Sequence, residues 1–444
     1  VQDNTKKDQA DFIIEARWVI PVEPHGVVLE DHAVVIANAV ILDILPIKVS
    51  REKYGELGRI KLDSHVLIPG LVNAHTHNPM TLMRGLADDL PLMTWLQNYI
   101  WPTEAKFLGP EFVRDGLELA IAEMLRSGTT CCNENYFFPD VIAATYRRAG
   151  FRAMVGLPLI EFPSTWAKSS DEYFDKALKT YDEFREDSLI ATCFAPHAPY
   201  TVSNSTFERT RMLADQLNVS IHLHLHETAQ EIEDSQRNFG MRPIARIKQL
   251  GLLNNQLIAV HMTQLFESEI AQCAEAGVSV VHCPESNLKL ASGFCPAEVL
   301  HQSGINVALG TDGCASNNDL NMIGEMRTAA LLAKGVANNP SAWDAATTLR
   351  TATFNGAKAL GWEKRIGSIE IGKQADLTAV NFNFLETQPV YNVISQLVYS
   401  CARHQVSDVW IAGQRKLANG KLIDIDHDEL IRKAQLWQNQ IRNS

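Results

Sequence analysis

Leu71-Val72-Asn73-Ala74-His75-Thr76-His77 decides the fold. Pro69-Gly70 punctuates the chain just before it. Four residues then read as a short buried strand, and two histidines follow with one residue between them. Alternate residues of a strand share a face, so His75 and His77 point to the same side. Toward the C-terminus, seven further runs have the same buried texture: residues 129–132, 152–157, 190–194, 219–223, 257–260, 278–281 and 306–309. Segments of helical periodicity, such as 112–127 and 207–217, separate most of them. Eight strand–helix units across residues 70–365 predict a (β/α)8, TIM-like barrel.

The flanks read differently. Residues 11–68 carry short β-branched runs between turn signals, among them Phe12-Ile13-Ile14, Ala33-Val34-Val35-Ile36 and Val40-Ile41-Leu42. From Ile366 the texture returns to strands: residues 366–380 read as hairpins with glycine turns, and Val409-Trp410-Ile411-Ala412 continues them. A polar helix over 428–439 closes the chain. The economical layout is an α/β protein in which the barrel, 70–365, is joined by a composite β-sandwich domain built from 1–69 and 366–444.

Composition narrows the function. The chain has 444 residues, 46% hydrophobic and 21% charged, which suits a folded core and excludes a disordered chain. Forty basic against 52 acidic residues give a net charge of −12, which excludes a broad grip on nucleic-acid backbone. No apolar stretch reaches membrane-spanning length. The polar run Val1-Gln2-Asp3-Asn4-Thr5-Lys6-Lys7-Asp8 has no apolar segment of a secretory signal. Eight cysteines contain no Cys-x-x-Cys pair, so neither a disulfide framework nor a zinc ribbon is expected, and the chain reads as a reduced, cytoplasmic protein.

A barrel of this kind builds its active site at the C-terminal ends of its strands. There the first run gives His75 and His77, the second Asn133-Glu134-Asn135, the third Glu161, the fourth His197 and the fifth His222, His224, His226 and Glu227. The sixth gives His261, the seventh His282 and the eighth Thr311-Asp312. His-x-His, a distant histidine and a final aspartate form a metal constellation: His75, His77, His224 and Asp312. Neutral imidazoles with one carboxylate suit Zn²⁺ or Fe²⁺. His222 reads as a hydrogen-bonded core residue, His226 and His282 as supporting or core residues, and His301, His404 and His427 as solvated. Residues 189–203 hold no lysine to bridge two metals, so a single metal is expected. There is no His-Glu-x-x-His, Walker loop, Gly-x-Gly-x-x-Gly or EF-hand loop. His427-Asp428-Glu429 starts the other zinc-deaminase pattern, but no Pro-Cys-x-x-Cys follows.

These residues resemble the amidohydrolase superfamily. Leu67-Ile68-Pro69-Gly70 leading into His75-Thr76-His77 looks like its opening signature, Gly310-Thr311-Asp312-Gly313 its closing one, and Gly367 to Leu377 its return into the small β domain. Within it the chain is most similar to the 5′-methylthioadenosine/S-adenosylhomocysteine deaminases. The stretches that carry this are Met83-Arg84-Gly85-Leu86, Trp101-Pro102-Thr103-Glu104, Ala195-Pro196-His197-Ala198-Pro199-Tyr200, His224-Leu225-His226-Glu227-Thr228 and Ser286-Asn287-Leu288-Lys289-Leu290-Ala291-Ser292-Gly293. The resemblance implies one zinc per subunit on His75, His77, His224 and Asp312, with iron or manganese as substitutes. It implies Glu227 and Asp312 in proton transfer and substrate contact, His261 beside the attacking water, and Glu104 and His197 as ribose and substrate contacts. A purine nucleoside substrate and a homo-oligomer are implied with it.

The chemistry fits those roles. Replacing an aromatic amine by oxygen needs a strong nucleophile and a protonated leaving group. Glu227, three residues after His224, stands where a carboxyl group reaches a purine ring nitrogen, provided a dry pocket keeps it protonated. Family members can carry an arginine after the third strand, facing the substrate tail. This chain has Leu157-Pro158-Leu159 around that point, which favours 5′-methylthioadenosine over S-adenosylhomocysteine, with its carboxylate-ended tail, and leaves adenosine open. The alternatives are a guanine, cytosine or triazine aminohydrolase or chlorohydrolase on the same scaffold, and a non-catalytic binding protein that kept the fold. Glu104 discriminates the first, because a free base has no ribose diol to bind; metal content discriminates the second.

Overall fold

The computed structural model describes residues 10–443. The polar run 1–8 lies outside the described residues. Four strands lead in: β1 (Phe12–Val19), β2 (Leu29–Ala37), β3 (Val40–Pro46) and β4 (Arg59–Pro69). Eight follow: β5 (Leu71–Thr76), β6 (Thr129–Glu134), β7 (Arg152–Leu159), β8 (Ile190–Pro196), β9 (Ile221–Leu225), β10 (Leu257–His261), β11 (Ser279–His282) and β12 (Asn306–Leu309). Four more complete the set: β13 (Leu377–Asn381), β14 (Val406–Ile411), β15 (Gln414–Ala418) and β16 (Lys421–Leu422).

β5 to β12 pair in chain order, every neighbour parallel. Each expected run is one of these strands. Parallel strands with helices outside them are buried on both faces, so they read as apolar runs rather than alternations; β5 and β7 are buried at every residue. The ring is drawn together between its first and last strands just where the histidines stand. Asp312 N donates to His75 O at 3.0 Å, Thr311 N to Asn73 Oδ1 at 2.9 Å, and Asn73 Nδ2 to Thr311 Oγ1 at 2.7 Å. Gly310 permits this approach, since a Cβ there would lie 2.8 Å from both Cβ and backbone N of His75. Gly310→Ala is therefore expected to lower stability by about 1–3 kcal/mol through overpacking, read as a lower melting temperature.

The remaining strands form one sheet in the order β16-β15-β14-β13-β4-β1-β2-β3, drawing on both ends of the chain. The expected sandwich takes the form of a single sheet rolled on itself. Val40 of β3 bridges Gln374, just ahead of β13, and Ile14, Val34, Ile41, Leu67, Leu377 and Trp410 share the enclosed interior. The β2–β3 hairpin turns on Asn38 and Ala39, both left-handed, as a tight two-residue hairpin turn requires.

One expectation changes. Residues 366–376 are not a hairpin but an irregular segment. Their N–H groups bond elsewhere: Ile369 N to Pro21 O at 3.0 Å and Gly372 N to Ile41 O at 2.8 Å. Gly367 and Gly372 are left-handed (φ 89° and 91°), which breaks the extended path that the isoleucines suggested. The segment ends at Asp376, whose carboxylate takes two hydrogen bonds from Arg152 at the start of β7 (2.7 and 3.0 Å), both side chains buried. This pair ties the barrel to the outer sheet at the end away from the histidines. Among the described residues no helix is long and apolar enough to cross a membrane, and all eight cysteines are free and buried.

Candidate active site

The C-terminal ends of the barrel strands open on a cavity of about 520 Å³. Its floor carries His77, His224, Glu227, His261 and Asp312, and Glu104 and His197 stand on its wall. His75 lies beneath, fully buried. The structure thus brings His75, His77, Glu104, His197, His224, Glu227, His261 and Asp312 to one place.

Four donor atoms converge at the floor. His75 Nε2 is 3.2 Å and His77 Nε2 3.3 Å from Asp312 Oδ1, and His224 Nε2 is 3.3 Å from His77 Nε2. The far side of each ring fixes where its proton sits. His77 Nδ1 donates to Asn135 O at 2.5 Å, and His224 Nδ1 to His197 O at 2.6 Å. A carbonyl only accepts, so the Nδ1 proton of each ring faces it, and in the neutral form Nε2 is the lone pair left to face the other ring and, for His77, the Asp312 carboxylate. Lone pairs packed together in a buried site call for a cation between them. Tetrahedral ligands 2.0–2.1 Å from a zinc ion stand about 3.3–3.4 Å apart, close to the spacing of these three pairs; the donors fall into two groups that share His75, one with His77 and Asp312 and one with His224 and His261. The residues present therefore fit a single metal, and the carbonyl partners are the supporting contacts that such ligands need.

His261 is near enough to be a rival, its ring nitrogen lying within 4.8 Å of those of His75 and His224. Asn287 argues against that role. Its Nδ2 donates to His261 Nδ1 at 3.0 Å, which leaves the His261 proton on Nε2 and no lone pair there. Burial keeps this ring neutral, its pKa pushed down to about 4. His222 Nε2 lies 3.1 Å from His75 Nδ1, beneath the site. His226 turns away from the cavity, donating from Nδ1 to Gln264 O at 2.9 Å and accepting at Nε2 from Ile244 N at 3.0 Å. His282 packs edge-on against Trp343. His301, His404 and His427 are exposed. Glu161 is exposed too, accepting from Ser203 N at 3.0 Å.

The carboxyl groups divide by environment. Burial alone would raise Asp312, but contacts from His75 and His77 hold it well below the usual carboxylate range. Its Oδ2 accepts from Ser286 Oγ at 2.6 Å and Ser316 Oγ at 2.8 Å. Glu227 is balanced the other way, with His77 and Ser292 lowering it less than its surroundings raise it. Burial, then the Asp312 charge, lift it to about 8, so it holds its proton at neutral pH. Two carboxyl groups of one pocket, one ionised and one protonated, make a base and an acid. Glu104 is lifted to about 7 by burial, against a hydrogen bond that its Oε1 accepts from Tyr136 OH at 2.6 Å. It lies in the first turn of the helix Trp101–Phe107, as Pro102 suggested. That helix follows a π-helical turn over Leu96–Ile100, where Trp101 N bonds back to Leu96 O; such turns recur at functional sites.

Much of the lining is apolar: Met80, Trp95, Ile100, Trp101 and Phe162 belong to it, with Tyr136. Leu157-Pro158-Leu159 belongs to β7 itself, and the segment after it adds Ile160, Phe162 and Lys168. Lys168, whose Nζ donates to Ser164 O at 2.6 Å, is the one lysine or arginine on the lining among the described residues. The sequence pattern gives no role to Lys168, to Tyr136 or to the carbonyls of Asn135 and His197, and marks Asn287 only as part of the stretch 286–293. Tyr136, directly beyond Asn133-Glu134-Asn135, was within reach of the strand-end rule.

Residues 66–416 match the Amidohydrolase family. A 5-methylthioadenosine/S-adenosylhomocysteine deaminase from Teredinibacter turnerae is 47% identical over 437 residues, covering 98% of this chain and 99% of its own. A 5′-deoxyadenosine deaminase from Methanopyrus kandleri is 40% identical over 383 residues, 86% of this chain and 88% of its own. Among solved structures, an adenosine deaminase from Xanthomonas campestris with bound zinc superposes with a TM-score of 0.97 at 62% identity, covering 98% of this chain and 99% of that one.

Proposed function

The chain belongs to the amidohydrolase family, among the 5-methylthioadenosine/S-adenosylhomocysteine deaminases, and we propose that it hydrolyses 5′-methylthioadenosine to 5′-methylthioinosine and ammonia, with one zinc ion per subunit. The observation that carries the reading is the cavity itself. One lining holds His77, His224, Asp312 and the protonated Glu227 together with Glu104 and apolar side chains that include Trp95, Ile100, Trp101 and Phe162. Those three kinds of surface suit an amino-purine, a ribose and a methylthio tail. The solved relative with bound zinc supports the choice of metal.

His75, His77, His224 and Asp312 hold the zinc. Bound there, the ion supplies a nucleophilic water by lowering its pKa from 15.7 to about 7. Asp312 takes that water's proton. His261 donates from Nε2–H to the attacking oxygen, its tautomer set by Asn287. Glu227 protonates the ring nitrogen beside the amine and draws charge from the attacked carbon. Asp312 then returns its proton to the amine, which leaves as ammonia, and the proton still on the C6 oxygen passes to the Glu227 carboxylate as the carbonyl forms. The free oxygen of Glu104 faces the ribose hydroxyls, and His197 flanks the sugar. The rim lysine, tied to a backbone carbonyl, offers a carboxylate-ended tail less than an apolar wall offers a methylthio group.

A deamination panel of 5′-methylthioadenosine, S-adenosylhomocysteine, adenosine, adenine, guanine and cytosine tests this. 5′-Methylthioadenosine is expected to give the highest kcat/KM; a free base as the best substrate would overturn it. Glu104→Ala is expected to raise KM for the nucleoside by about tenfold to a hundredfold, the worth of a hydrogen bond to a charged group, and to leave KM for adenine within twofold.

A further inference from the structure

Glu227 has to face the substrate from the tip of β9, and the chain does not turn that way by itself. β9 ends at Leu225. His226 then adopts a left-handed conformation (φ 54°) that few non-glycine residues occupy without outside support. The turn sends the His226 ring outward and Glu227 into the cavity. Glu231 supports it from behind. This residue is 6% exposed, does not line the cavity, and lies in the first turn of the helix Ala229–Phe239. Thr228 caps that helix, its Oγ1 accepting from Glu231 N at 3.1 Å. In the usual reciprocal cap, the carboxylate three positions on returns to the capping residue's own N–H. Here it reaches further back. One Glu231 oxygen accepts from Glu227 N at 2.7 Å and the other from His226 N at 3.1 Å. These are the two N–H groups that the left-handed turn frees from the strand ladder. On the opposite side, Thr263 Oγ1 donates to Glu227 O at 2.6 Å.

We propose that Glu231 is a positioning residue: its carboxylate, spanning two consecutive backbone N–H groups, holds the turn that aims Glu227 at the substrate. This rests on the reading of Glu227 as the proton donor. A glutamine is a poor replacement for Glu231: its amide has one accepting oxygen and would set an N–H₂ against one of the two backbone donors, whereas both oxygens of a carboxyl group, ionised or protonated, keep a lone pair for an N–H.

A double-mutant cycle tests the proposal. Glu231→Gln is expected to lower kcat for 5′-methylthioadenosine at least tenfold, with KM and bound zinc within twofold of the parent. In a Glu227→Gln background the same change is expected to cost less than twofold, because the group being aimed is gone. Equal losses in both backgrounds, or no loss in either, would overturn the proposal. If Glu227→Gln alone leaves kcat intact, the role of Glu227 falls, and this inference with it. Should Glu231→Gln not fold, Glu231→Asp, which keeps the carboxyl group one methylene short of the N–H pair, is read by the same criterion.

Discussion

Glu227→Gln lowers kcat by about 10²–10⁴, the usual worth of a general acid, and leaves KM within a few-fold. The glutamine amide still donates a hydrogen bond to the ring nitrogen, so the substrate is held. It has no proton to give up, so the attacked carbon stays electron-rich when water arrives. A pH profile accompanies this result. The acid works only while protonated, and burial with the nearby Asp312 charge places its pKa at about 8. The parent enzyme therefore loses kcat as pH rises through about 8, and the Glu227→Gln variant lacks that limb. Steady-state rates across pH 6–10 check both statements. An unchanged alkaline limb in the variant would remove Glu227 from the role.

The second large effect concerns the four converging donors. Asp312→Ala and His224→Ala each abolish turnover to below a thousandth of the parent rate, and bound zinc falls well below one per chain. Removing either takes away a donor and leaves the others facing an incomplete shell. Asp312→Ala also removes the acceptor of the water's proton and strands the hydroxyls of Ser286 and Ser316. Chelation of the parent protein abolishes activity, and added zinc restores it. Metal content and rate, measured on the same samples, check this; activity that survives the loss of metal would contradict it.

Much of this site is legible in the sequence because barrel strands are local objects with a known polarity. A buried run shows where a strand ends, and the residues just past that end share the site wherever they stand in the chain. His75, His77, His197, His224, Glu227, His261 and Asp312 all follow from that rule. Asn135 and His197 act through backbone carbonyls, and every residue has one, so no sequence pattern marks those that fix a histidine tautomer. Lys168 reaches the cavity from a loop whose course depends on tertiary packing, and nothing local announces it. Residues 366–376 carry isoleucines at strand-like spacing, but the partners of their N–H groups lie at Pro21 and Ile41, hundreds of residues away. Glu231 looks like an ordinary cap of its helix; that its carboxylate reaches past the cap to Glu227 is a property of the fold.

Anomalous diffraction at the zinc absorption edge, from crystals of the zinc-loaded protein, puts the common centre of these side chains to the test. One peak is expected, about 2.0–2.2 Å from His75 Nε2, His77 Nε2, His224 Nε2 and an Asp312 oxygen, with His261 outside bonding distance. Two peaks, or a single peak that takes His261 as a ligand in place of one of the four, would contradict the account.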